Sequence, residues 1–205
     1  MAVITIDGEY GARSREVGKV AAEQLGYEYV ARDLVARIAD KLNISPNEAE
    51  LFSKTGGSGF LRHIDRYTCS IVKKVVDGEY GCLDDKKYFE VTKELVEKLY
   101  EDGDTVILGW GGQCILADKP GTLHVRIKCN EAAKKETVMA ERRVSAEKAE
   151  NIIKKEESDA AAYIKHYFGK DINDARLYDL VIDTGTTPPE KAARMIVDHL
   201  AEKTT

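Results

Sequence analysis

The chain has 205 residues, 43% hydrophobic and 33% charged, with a formal net charge of −5. That length suits one domain, and the apolar content suffices for a proper core, which excludes a disordered chain. The negative balance argues against a general nucleic-acid or membrane-surface binder, so any polyanion site must be a local basic pocket.

In chain order, residues 2–7 form a short apolar run rich in β-branched residues, the pattern of a buried strand. From Arg15 to Leu25 the apolar positions Val17, Val20, Ala21 and Leu25 fall on one face of a helix. Residues 27–30 predict a second strand, and "ARDLVARIADKLN" reads as a helix. Ser45-Pro46-Asn47-Glu48 has a cap, a proline in the first turn and an acid three residues on, which predicts a helix start. "TGGSGF" interrupts the pattern, and a further helix is expected over 62–76. Residues 84–100 make an amphipathic helix stopped by "EDGD". Strands follow at 105–109 and 122–128. Residues 131–168 are charged, helical and poor in large apolar residues. They suit a lid that leaves the core and equally a solvated helix pair. A last strand at 179–183 precedes a helix started by Thr187-Pro188-Pro189-Glu190.

Strands separated by helices imply right-handed crossovers and a parallel sheet. Cys69, Cys82, Cys114 and Cys129 lie far apart without a CxxC pair, and the four histidines are scattered, so no zinc or other structural metal site is expected. No secretory leader is read, and "AVITI" is too short to cross a bilayer, so a reducing cytoplasm is the expected compartment.

The first strand-to-helix turn carries the chemistry. A strand, then glycines, then a helix N-terminus brings backbone N–H groups together where the helix dipole favours negative charge. Gly8 and Gly11 allow close backbone approach to a phosphate, Ala12 lies between them and the helix, and Arg13, Arg15 and Lys19 bring cations. Set on the pattern GxxxxGK[ST] from Gly8, however, the turn has Arg13 for the second glycine, Ser14 for the lysine and Arg15 for the Ser/Thr. By residues alone, a plain strand-to-helix turn with surface arginines is the better fit.

The stretch "ITIDGEYGARSREVGKVAAEQLGYEYVARDLV" resembles the opening of the cytidylate-kinase-like family of P-loop proteins, which commonly begin close to "ITISREYGSGGREIG" and continue "LAEELGYRYVDRE". That family typically lacks the P-loop lysine and has Arg-Glu after the turn, matched here by Arg15-Glu16. "TVILGWGGQCILADKPGTLHVRIKC" is similar to the family's "VIVGRGGQ.IL.D.P..LHVRI", and "AAYIKHYFGKDINDARLYDLVIDTG" to its lid and last strand. The resemblance implies a three-layer α/β fold of the P-loop NTPase type, with a five-stranded parallel sheet flanked by helices. It implies one nucleoside-monophosphate-kinase-like domain over residues 1–205, an acceptor-binding arm at about 34–82 and a lid at about 131–168.

The implied activity is ATP- and Mg2+-dependent phosphoryl transfer to CMP or a related small acceptor. A nucleotide is then the partner, with neither nucleic acid nor membrane. Phosphate binding would fall to Gly8, Gly11, Ala12, Arg13, Ser14, Arg15 and Glu16, with catalytic roles for Arg15 and Asp33. Arg32, Asp33, Arg62, Arg66 and Trp110 would meet the acceptor, and Ser14 is the possible protein contact to the metal.

The chain departs from the family phrases at Ala31 (Asp in the family), at Trp110 (Arg of GRGGQ) and at Glu157-Ser158-Asp159-Ala160, where a lid arginine motif is expected. Arginines that stabilise phosphoryl transfer are worth about 10³–10⁵ in rate. These losses imply slow or altered transfer, or a catalytically inactive nucleotide-binding relative.

At single positions the residues leave two readings open. Arg15 can bind phosphate or pair with Glu16 or Glu9. Ser14 can meet phosphate or cap the helix, and Asp33 can position an acceptor or serve as an exposed first-turn acid. Arg62, His63, Asp65 and Arg66 can clamp an acceptor or line a solvated face, and Trp110 can stack on a base or fill the space of an arginine. Lys134 and Lys135 open the lid region and can meet ATP or, as a lysine there ordinarily does, face solvent.

Overall fold

The computed structural model describes residues 2–31, 33–42 and 85–204. The predicted helices from Ser45 and over 62–76, together with Cys69, Cys82, Arg32, Arg62, His63, Asp65 and Arg66, lie outside these residues. The chain forms two compact units. The first comprises Met1–Ala31, Val96–Ser158 and Asn173–Thr205, and the second comprises Arg32–Leu95 and Asp159–Ile172.

The first unit is built on five parallel strands: β1 (Val3–Gly8), β2 (Glu28–Val30), β3 (Thr105–Leu108), β4 (Thr122–Lys128) and β5 (Leu180–Asp183). Their order is β2-β3-β1-β4-β5, so β1 lies centrally between β3 and β4. All five predicted strands are present, within one or two residues of the expected limits. Helix α1 (Ser14–Leu25) follows β1 directly. In the second unit α2 spans Asp33–Leu42, with Leu34, Ile38 and Ala39 buried. Helix α3 covers Asp85–Asp102, and α4 is one turn, Gly112–Ile115, after β3. The charged excursion is two helices, α5 (Glu131–Arg142) and α6 (Ala146–Phe168), and the chain ends in α7 (Pro189–Thr204).

Alternation along the strands gives the sheet two different faces. Ile4, Ile6, Leu123, Val125 and Ile127 form one apolar core with Val17 and Ala21 of α1 and with Ala193, Ile196 and Leu200 of α7. Burying such side chains is worth about 1.5–3 kcal/mol each, which holds both helices against that face. The opposite face is buried yet polar, carrying Thr5, Thr105, Thr122, His124 and Arg126. Buried polar groups persist when hydrogen-bonded, and here Thr5 Oγ1 lies 2.7 Å from His124 Nδ1. In register, Asp7 pairs with Arg126 across β1 and β4. The apolar face builds the fold, and the polar face brings charged groups to the carboxyl edge of the sheet.

Candidate phosphate-binding turn

The turn from β1 to α1 has the backbone of an anion cradle. Gly11 takes φ +87° and Arg13 φ 57°, left-handed values that curl the chain back toward the helix axis. Glu16 and Val17 donate to the Arg13 carbonyl at 3.0 and 3.1 Å, so Arg13 is the N-cap residue, without a side-chain cap. Among the described residues, the amides of Ser14 and Arg15 have no hydrogen-bond partner. Such amides at a helix N-terminus are the groups that bind phosphate oxygens.

Two glycines shape the cradle. A Cβ at Gly8 would stand 1.8 Å from Ser14 Oγ, so the absence of a side chain at residue 8 lets Ser14 fold inward. At Gly11 a Cβ would lie 2.8 Å from the Lys134 carbonyl oxygen, so α5 seats directly on the turn. Ser14 stands where a P-loop lysine would, and its Oγ is buried with no partner. It therefore does not cap the helix. An orphan buried hydroxyl costs about 1–3 kcal/mol, and a bound phosphate or a phosphate-held cation would satisfy it.

The arginines divide. Arg13 makes a bidentate pair with Glu16, at 2.8 and 2.9 Å, on the surface. Arg15 is exposed and has no ion-pair partner among the described residues. The carboxylates weighed as partners for Arg15 are thus used elsewhere: Glu16 by Arg13, and Glu9 by Lys134 at 3.5 Å.

Lys134 differs from its expectation. It is 3% exposed, with its ammonium 2.6 Å from Glu131 and 2.8 Å from Glu157. Burial opposes its charge, but the hydrogen bonds to Glu131 and Glu157 and the charge of Glu9 outweigh that and raise its pKa. Glu9 also accepts from the Cys129 amide at 3.0 Å, so the cluster ties the turn to the end of β4 and the start of α5.

Other pins hold the turn. Thr184 Oγ1 donates to the Ala12 carbonyl at 2.9 Å. Tyr10 packs with Val138, Ala149 and Ile153, and its hydroxyl accepts from Arg142 Nε and an Arg142 terminal nitrogen, at 3.2 and 2.8 Å. Arg142, exposed in the last turn of α5, is a cation at the turn that the sequence reading missed. The "ERR" at 141–143 was the available signal, but nothing local links it to Tyr10.

At the end of β3, Gly109, Trp110 and Gly111 take φ values of +87°, +63° and +67° in succession. A left-handed tryptophan is strained and needs fixing by its surroundings. Its indole Nε1 donates to the Ala31 carbonyl at 3.0 Å. Asp33 opens α2 in the second unit, exposed and 3.7 Å from Arg37, the geometry of a first-turn acid.

The residues present fit a nucleotide's phosphates: free amides, a small-residue floor and the cations Arg15 and Arg142 line one turn. Among the described residues no cluster of three or more His, Cys, Asp or Glu could hold a metal. Mg2+ does not require one, because it commonly rides on substrate phosphates and keeps its waters.

A model of the cytidylate kinase-like family matches residues 3–186. The cytidylate kinase of Pyrococcus abyssi is 26% identical over 208 residues, covering 98% of this chain and 96% of that one. Among solved structures, an uncharacterized protein from Eubacterium ventriosum is similar with a TM-score of 0.72 at 20% identity, over 98% of this chain and 99% of that chain. A shikimate kinase from Acinetobacter baumannii, solved with shikimate, has a TM-score of 0.53 at 14% identity, over 98% and 94%. At these identities the structures speak for the fold, a three-layer α/β sheet of the P-loop kinase kind.

Proposed function

Because the chain belongs to the cytidylate kinase-like family, we propose that it binds ATP through the turn at residues 8–16 and transfers its γ-phosphoryl group slowly to CMP or a related small acceptor. The observation that carries this reading is the cradle itself, with free amides at Ser14 and Arg15 and a buried, unpartnered Ser14 hydroxyl. In this reading the backbone at Gly8, Gly11, Ala12, Arg13, Ser14, Arg15 and Glu16 holds the phosphates, and the side chains of Arg15 and Arg142 supply positive charge. Ser14 Oγ faces a phosphate or its Mg2+. Asp33, Arg32, Arg62, Arg66 and Trp110 form the acceptor side, with the arm at about 34–82 and a lid at about 131–168.

Phosphoryl transfer is largely positioning and charge neutralisation, so the protein's part is to orient the triphosphate and exclude water. Mg2+, carried in on the phosphates, would neutralise charge developing there. Slow transfer follows from Glu157-Ser158-Asp159-Ala160, which stands where the family's lid arginine motif is expected.

Calorimetry with MgATP, followed by assay of ADP formation with CMP present, tests the proposal. Micromolar binding with slow, CMP-dependent ADP formation is expected. Binding without any turnover would favour an inactive nucleotide-binding relative, the reading that Ala31 and Trp110 support. No binding of ATP would refute both.

A further inference from the structure

Directly before the turn, at the carboxyl end of the central strand, sits a carboxylate that phosphate binding leaves unexplained. Asp7 Oδ2 receives Arg126 from β4 at 2.6 Å, the Tyr178 hydroxyl at 2.8 Å and Gln113 Nε2 of α4 at 3.4 Å. Among the described residues these are the groups that hydrogen-bond it. Oδ1 has no partner among the described residues, and 13% of the side chain stays exposed. The holding residues are themselves fixed. Arg126 is 4% exposed and also donates to Asn173 at 3.3 Å, and Gln113 reaches the Tyr178 oxygen at 3.4 Å. One oxygen is thus clamped in a rigid network, while the other is left free beside the phosphate cradle.

A carboxylate there suits one kind of acceptor over another. An incoming phosphate group is already ionised near neutral pH and needs no base, so a carboxylate there has no proton to take from it. A hydroxyl acceptor must lose a proton as it attacks, and a positioned carboxylate can take it. At two positions where the family resemblance expects an arginine, this chain has Trp110 and Ala160.

We infer that Asp7 is the proton acceptor for a hydroxyl-bearing small acceptor, of the nucleoside or sugar kind, phosphorylated from ATP at this edge of the sheet. The inference rests on the function proposed above and selects within it the related acceptor over CMP. The acceptor O–H bond breaks and its proton goes to Asp7 Oδ1. The freed oxygen bonds to the γ-phosphorus. The bond from that phosphorus to the β,γ-bridging oxygen breaks, and its electron pair leaves on ADP.

The matched pair cytidine and CMP tests this, together with a panel of simple sugars, with products resolved by chromatography. Conversion of cytidine or a sugar to its monophosphate, faster than conversion of CMP to CDP, is expected. Asp7→Asn should lower that rate about 10²- to 10⁴-fold while MgATP affinity stays unchanged. Tyr178→Phe removes a donor that holds Oδ2 at 2.8 Å, so it should lower the rate with the hydroxyl acceptor while MgATP affinity stays unchanged. CMP phosphorylated in preference to every hydroxyl acceptor, ATP binding without transfer to any of them, or a full rate in Asp7→Asn would each overturn the inference. The first of these leaves the proposed kinase function standing, whereas loss of ATP binding in the unmutated protein removes that function.

Discussion

Two arginines on the same turn have opposite prospects, and their partners decide it. Arg13 spends its guanidinium on Glu16 in an exposed i,i+3 pair, which contributes little to stability in water. Arg15 has no such partner and stands on the first turn of α1, where the helix dipole already favours an anion. A charge-assisted hydrogen bond is worth about 1.5–3 kcal/mol. Arg15→Ala should therefore weaken MgATP binding by about tenfold or more in calorimetry, while Arg13→Ala should change it by less than about threefold. Equal effects from the two substitutions would mean that the phosphates lie elsewhere. The sequence named both arginines and, through the family phrase, set Arg15 ahead of Arg13, but it left Glu16 as a partner for Arg15, whereas the structure pairs Glu16 with Arg13.

At the scale of the element, Lys134 fastens α5 to the turn and to α6 through Glu9 and Glu157. Breaking a fully buried pair costs about 3–5 kcal/mol. Glu131 is 73% exposed and Glu157 33%, so Lys134→Met should cost less, about 1–3 kcal/mol, in urea denaturation. Because its pKa is raised in the folded state, the lysine's contribution is complete below its ordinary value of 10.5 and is lost as pH climbs through and beyond it. The wild-type protein should thus lose stability in strong alkali more steeply than the variant. In sequence, "EAAKKE" reads as a wetted helix face. Burial of its first lysine depends on Glu157, 23 residues later, which no local pattern encodes. The strands were easier. Inner parallel strands are covered on both sides and read as compact apolar runs, which is why 122–128 was placed to the residue. The turn was legible for a related reason, since β1, cradle and α1 follow one another without a gap. The Asp7 network was not, because Arg126 and Tyr178 lie 119 and 171 residues away.

For the molecule as a whole, the polar face of the sheet sets a response to acid. His124 is buried among Thr5, Thr122 and Asp179, and burial lowers its pKa despite the opposing Asp179 charge. The folded state therefore holds this imidazole neutral, whereas the unfolded chain protonates it near 6.5. Stability linked to it is fully present above about pH 6.5 and falls as pH drops below that value. Urea midpoints at pH 7.5 and 5.5 should diverge in the wild type and diverge less in His124→Asn. An unchanged difference would place the acid sensitivity at other groups. The second unit enters none of these tests, since each concerns residues of the first. A further consequence comes from Trp110, the only tryptophan in the chain. Its indole is tethered to Ala31 at the carboxyl edge of β3, so the tryptophan emission of the protein originates there. A ligand entering that edge would be visible as quenching or a wavelength change in unlabelled protein, with no competing fluorophore of the same kind to mask it.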